Sequence, residues 1–179
     1  TNGLGVVFTS TGPGAANIAG ALVESRFAGS AVLHLTGQTA TENLDKKQGT
    51  VHDVPDQLGM LKSISKKAIR ISEPEDVITK LMEATTVALT PPMGPVSVEI
   101  PIDIQRTIIE RPSELDQIKL PSINLQIGDI SSLDKIEDIV KKSKRKILWV
   151  GNGAKFAKDE VEKFIDIGFA VVTRDRKSV

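Results

Sequence analysis

Apolar runs set the limits on what this chain can fold into: Gly5–Thr9 (GVVFT), Ala31–Thr36 (AVLHLT), Val96–Ile100 (VSVEI), Ile147–Val150 (ILWV) and Phe169–Thr173 (FAVVT). They are short and nearly continuous rather than alternating, which is how parallel strands read when helices cover both faces of their sheet. Parallel strands need crossovers, and the stretches between the runs supply them. Residues 74–89 carry Val77, Ile78, Leu81, Met82, Thr85, Ala88 and Leu89 on one stripe, Ser72 and Glu75 have the spacing of a capping box, and Pro74 falls near the first turn. Leu133, Ile136, Ile139 and Val140 form a second stripe, and Val161, Phe164 and Ile165 a third. Strand and helix alternate, so the expected class is α/β, a parallel sheet with helices on both faces.

From 108 to 129 the pattern lapses into a stretch with two prolines and no sustained period, read as a linker. The expected organisation is a first domain over 1–108, a linker over 109–128 and, over 129–179, the start of a second, Rossmann-like α/β domain. About 50 residues with two strands cannot cover both faces of a parallel sheet. The N-terminus opens directly on a buried strand, so the chain is expected to be a piece of a longer protein, inactive alone and prone to self-association through open sheet edges.

Composition removes several classes of function. There is no Cys, so disulfides, thiolate metal sites and Cys nucleophiles are excluded. A net charge of zero and 3% aromatics argue against nucleic acid as partner, and the Lys-rich run 141–146 reads as a solvated helix end. No apolar stretch is long enough for a membrane helix and no signal peptide is apparent, so a cytoplasmic protein without a membrane partner is expected. No metal site is expected from the residues themselves.

Between the first strand and an Ala-rich stretch stands TSTGPGAAN, Thr9–Asn17. A P-loop is excluded, because the first Lys after Gly12 is Lys46. A dinucleotide fingerprint fits poorly: Asn17 stands at its third glycine, and the next strand ends in Thr36-Gly37-Gln38 without an acidic residue. An ordinary packing turn remains open, with Pro13 presetting φ and small residues letting the helix approach the sheet. So does a ligand wall, since strand ends in open α/β sheets are where ligands bind.

The run GVVFTSTGPGAANIAGALVESRFAGSAVLHLTGQ, with PPMGPVSVEIPIDIQ later, resembles the pyrimidine-binding domain of thiamine-diphosphate-dependent enzymes of the acetolactate synthase-like group, and ILWVGNGA resembles the opening of that family's central domain. The resemblance implies an enzyme acting on small 2-keto acids, as carboligase or decarboxylase, with thiamine diphosphate and magnesium, in a homodimer or homotetramer. Pro13 and Asn17 match positions that contact the cofactor, and the bare backbone of Gly12 and Gly14 can approach its ring. Gln38, following the second strand at the same sheet edge, is a candidate for lining the same pocket.

The Glu that activates the cofactor and the Gly-Asp-Gly motif that holds its diphosphate and magnesium lie, in such enzymes, outside the stretch present here; Glu24 and Glu42 are not substitutes. The stretch 48–71 resembles the segment carrying Phe-Gln-Glu beside the thiazolium, and His52 and Asp53 stand where Phe and Gln would be. A His beside a carboxylate can move a proton at a keto acid, which makes His52 and Asp53 catalytic candidates; the alternative is a loop His paired with Asp53 or water. His34, within an apolar strand, reads as a satisfied core histidine. The resemblance allows FAD at Gly151-Asn152-Gly153, against which Phe156 occupies the third glycine position. Readings from other classes are a non-catalytic α/β binding or assembly module and a stand-alone nucleotide-binding domain.

Overall fold

A computed structural model of the chain describes residues 3–121, 130–154 and 157–173. The chain divides into two compact units, Thr1–Asn124 and Leu125–Val179. In the first, strands β1 (Gly5–Thr9), β2 (Val32–Gln38), β3 (Lys67–Arg70) and β4 (Pro95–Pro101) form one sheet in the order β1-β2-β4-β3, with every neighbouring pair parallel. The crossovers are α1 (Pro13–Asn17) with α2 (Ala19–Ala28), then α3 (Gln57–Ile64), then α4 (Val77–Leu89); α5 (Ile102–Arg106) follows β4.

The two faces of this sheet differ in chemistry. Leu33, Ile69, Ile71, Val96 and Val98 are buried with Ala84 and Ala88 of α4 in the apolar core. Small residues on α4 let the helix lie close to the strands, and burying these aliphatic side chains supplies most of the stabilisation. The other face is buried yet polar: the register sets His34 beside Ser97, and Thr36 and Arg70 on either side of Glu99. Helix α3 covers it. Gln57 at its start bonds Glu99, and Ser65 at its end lies 2.7 Å, Oγ to Oγ, from Ser97.

In the second unit β5 (Lys146–Val150) pairs in parallel with β6 (Phe169–Thr173), joined through α7 (Lys158–Asp166) and preceded by α6 (Leu133–Lys142). Phe164 and Phe169 meet edge to face, with ring centroids 5.2 Å apart. Ile147, Trp149, Leu133, Ile136 and Ile139 are exposed.

Two local expectations need correction, and one strand goes beyond them. The capping box at Ser72 and Glu75 does not form: the chain enters α4 through a single 3-10 turn, Pro74–Asp76, and neither start has a side-chain cap. The Lys-rich run is not one helix end, because α6 stops at Lys142 and Lys146 opens β5, its ammonium 5.8 Å from the centre of the Phe169 ring. Strand β3 was unforeseen, since four residues with charges at both ends lack the apolar run by which its neighbours are recognised.

Candidate functional site

The chain leaves β1 through Ser10 and Thr11 and turns at Gly12, which has φ +61° and ψ −110°. Only glycine takes this conformation at low cost. Space demands it as well, because a Cβ on Gly12 would overlap the carbonyl oxygen of His52. A Cβ on Gly14 would overlap Ser10 Oγ. Pro13 opens α1, where its missing N–H costs nothing. Gly12 and Ala15 point inward; Pro13, Ala16 and Asn17 are exposed, so the outward face carries nothing longer than an Asn side chain.

Below the elbow lies a chain of buried polar groups. Gln57, 1% exposed, accepts from Gly12 N at 2.7 Å and Thr11 Oγ1 at 3.1 Å, and donates to Gly37 O at 3.0 Å and Glu99 Oε2 at 3.1 Å. Gln38, 5% exposed, accepts from Thr39 N at 2.7 Å and donates to Glu99 Oε2 at 3.5 Å. Glu99 is fully buried, and Arg70 Nε donates to its Oε1 while Arg70 Nη1 bonds Asp45 Oδ2 at 3.0 Å. Burial opposes the charge on Arg70, but hydrogen bonding and attraction from Glu99, then Asp45, outweigh it and raise its pKa.

The loop between β2 and α3 is tied to this chain. Thr41 donates to Asp103 through its N–H, at 3.0 Å, and through its hydroxyl, and the bond to the Thr41 hydroxyl is the main cause holding Asp103 below the usual carboxylate range. Further on, Asp45 meets Arg70, and the His52 carbonyl seats against Gly12.

The fold thus brings Gly12, Pro13, Gly14, Asn17 and His52 together at the C-terminal edge of the sheet. His52 is exposed, in the left-handed region at φ 66°; Asp53 is half-buried, and its N–H donates to Thr50 O at 2.9 Å. Gln38 lies inside the polar chain rather than on an open wall. Glu24 and Glu42 are exposed. The Gly151 turn continues into a 3-10 turn, Asn152–Ala154; Phe156, on which the reading against FAD rests, lies outside the described residues. Among the described residues no group of three His, Cys, Asp or Glu side chains could hold a metal ion, and no helix is long and apolar enough to cross a membrane. Gln57 and Glu99 escaped the sequence reading, Gln57 because a polar residue at a helix start ordinarily reads as solvated.

Residues 1–60, which contain β1, the elbow and β2, match the family model described as thiamine pyrophosphate enzyme, N-terminal TPP binding domain. That match covers 60 of the chain's 179 residues. Over 182 residues, 97% of this chain and 28% of that protein, the acetolactate synthase large subunit of Corynebacterium glutamicum is 26% identical. The mitochondrial acetolactate synthase of Schizosaccharomyces pombe is 23% identical over 158 residues, 83% of this chain and 23% of that protein. The chain therefore spans about a quarter of the length of these relatives. In fold it is similar to the thiamine diphosphate-dependent 4-hydroxybenzoylformate decarboxylase of Rhodococcus jostii RHA1, with a TM-score of 0.76 and 20% identity over 95% of this chain and 32% of that one. The exposed face of Pro13, Ala16 and Asn17 is low and free of charge.

Proposed function

We propose that this chain supplies one wall of the cofactor site of an acetolactate synthase-like enzyme that acts on small 2-keto acids, as a carboligase or a decarboxylase. The observation that carries the reading is the elbow: a left-handed Gly12 followed by an outward-facing Pro13 and Asn17, at the strand-end edge where open α/β sheets bind ligands. Thiamine diphosphate, when bound, supplies the nucleophilic carbon that attacks a 2-keto group. This chain's residues orient. Pro13 and the Cα of Gly14 offer a flat surface, Asn17 offers a polar contact at its margin, and the buried chain beneath keeps the surface from shifting.

His52 stands beside the elbow, and with Asp53 it is our candidate for taking or returning a proton at the substrate, since one imidazole nitrogen can accept a proton while the other donates. Magnesium, a homodimeric or homotetrameric assembly and a cytoplasmic setting belong to the same proposal and rest on resemblance to such enzymes.

The test is nuclear magnetic resonance of the 15N-labelled chain titrated with millimolar thiamine diphosphate. Shifts confined to the amides of Gly12, Gly14, Ala16, Asn17 and the His52 region support the reading. Shifts elsewhere only, or shifts produced equally by NAD and FAD, overturn it in favour of a general nucleotide binder.

A further inference from the structure

Gln57 uses the whole hydrogen-bonding capacity of its amide. Its oxygen accepts from Gly12 N and Thr11 Oγ1; its nitrogen donates to Gly37 O and Glu99 Oε2. The orientation is forced, because Gly12 N can only donate and Gly37 O can only accept. One buried side chain thereby joins the ends of β1, β2 and β4. Helix α1 has no side-chain cap, so without Gln57 the buried N–H of Gly12 would have no acceptor. Gln57 is itself held from both sides: Asp56 Oδ1 caps α3 by accepting from Gly59 N at 2.7 Å, and Glu99 is clamped by Arg70.

We propose that Gln57 is the positioning residue of the elbow, holding Gly12 in its left-handed conformation and so fixing where Pro13 and Asn17 present their surface. The proposal rests on the reading of that surface as a ring wall. The line of force runs Asp45, Arg70, Glu99, Gln57, Gly12, from the loop ahead of α3 to the elbow.

Amide hydrogen exchange on the full chain tests it. In Gln57→Ala the Gly12 amide exchanges roughly tenfold faster or more, while Val96 and Val98 in β4 keep their rates. Gln57→Glu covers the case in which the alanine variant does not fold. It keeps an acceptor for Gly12 but sets a carboxylate against Glu99 and Gly37 O, so one proton must be retained for the contact to survive. Gly12 is then protected at low pH and loses protection as pH rises, beyond the intrinsic pH dependence of exchange; Gln57→Glu with Glu99→Gln restores a donor between the two side chains and removes the extra dependence.

Unchanged exchange at Gly12 in these variants, or loss shared equally by Val96 and Val98, overturns the proposal. The thiamine diphosphate titration separates its failure from that of the underlying reading. A wild-type chain that binds, with an alanine variant that folds and binds equally well, overturns the positioning role alone; a wild-type chain that does not bind removes the ring reading and leaves exchange to decide the role of Gln57.

Discussion

His34 and Ser97 stand opposite each other on β2 and β4, with His34 Nδ1 3.0 Å from Ser97 Oγ and neither residue exposed. The other ring nitrogen, Nε2, lies 2.9 Å from Thr9 Oγ1. A neutral imidazole donates on one side and accepts on the other, and hydroxyls can serve both needs. The polar face of the sheet therefore rests on a histidine that works best uncharged.

That requirement makes stability depend on pH. Burial lowers the pKa of His34 from 6.5 to about 4. Between those values the unfolded chain takes up a proton that the folded chain refuses, so stability is full above about 6.5, falls as pH drops towards 4 and levels off below. The shift corresponds to about 3 kcal/mol. Asp103, Glu83 and Glu137, held below their ordinary ranges by hydrogen bonds, act in a lower window. Urea unfolding of the wild type and His34→Gln, from pH 7 to 4, is expected to show the gap between them narrowing as pH falls. Circular dichroism should follow the transition, because the single tryptophan, Trp149, lies in the second unit.

Two glycines with nearly the same φ differ in the room around them. Gly12 and Gly49 have φ +61° and +67°; a Cβ would overlap the His52 carbonyl at the first and meets nothing within 4 Å at the second. Gly49→Ala should cost about 1 kcal/mol, the positive-φ penalty, and Gly12→Ala at least about 1–2 kcal/mol more, because its ψ of −110° and the His52 carbonyl both exclude a Cβ. Equal losses in urea midpoints would mean that the elbow yields.

The two ends of the Arg70 clamp should respond unequally. Arg70→Met leaves the fully buried Glu99 carboxylate without its cation, at an expected cost of about 3 kcal/mol, while Asp45→Ala acts at an exposed position and should cost under about 1 kcal/mol. Combining Arg70→Met with Glu99→Gln should recover part of the loss, a coupling that a thermodynamic cycle over the single variants measures.

Most strands and the elbow could be read from the sequence because their signals are local: an apolar run, or Gly-Pro-Gly after one. The polar face was not read, although its signal is present. VLHLTGQ and PVSVEIP each alternate apolar with polar residues, and that alternation assigns His34, Thr36, Ser97 and Glu99 to one face. Taken as near-continuous apolar runs, they hid it. The role of Gln57 has no local signal, since it depends on the register of β2 and β4 and on the turn at Gly12, which meet only in the folded chain. Helix α3 went unread too, although Asp56, whose carboxylate caps it, is a start signal present in the sequence.

Asn17 separates fold from function most cleanly. It is exposed at the last position of α1, just before the helix axis breaks at Ile18, and its side chain makes no hydrogen bond in the buried chain beneath the elbow. Asn17→Ala should therefore change stability by no more than about 0.5 kcal/mol, as exposed substitutions do, and alanine suits a helix position at least as well. If the outward face of the elbow is a ring wall, the same substitution removes its polar contact and weakens thiamine diphosphate binding by roughly five- to tenfold, the worth of one hydrogen bond. Unfolding curves that superimpose, together with titration midpoints that separate, are the expected result. Superimposed midpoints would mean that Asn17 faces solvent in the complex, and the wall would then reduce to Pro13 and the bare main chain of Gly12 and Gly14.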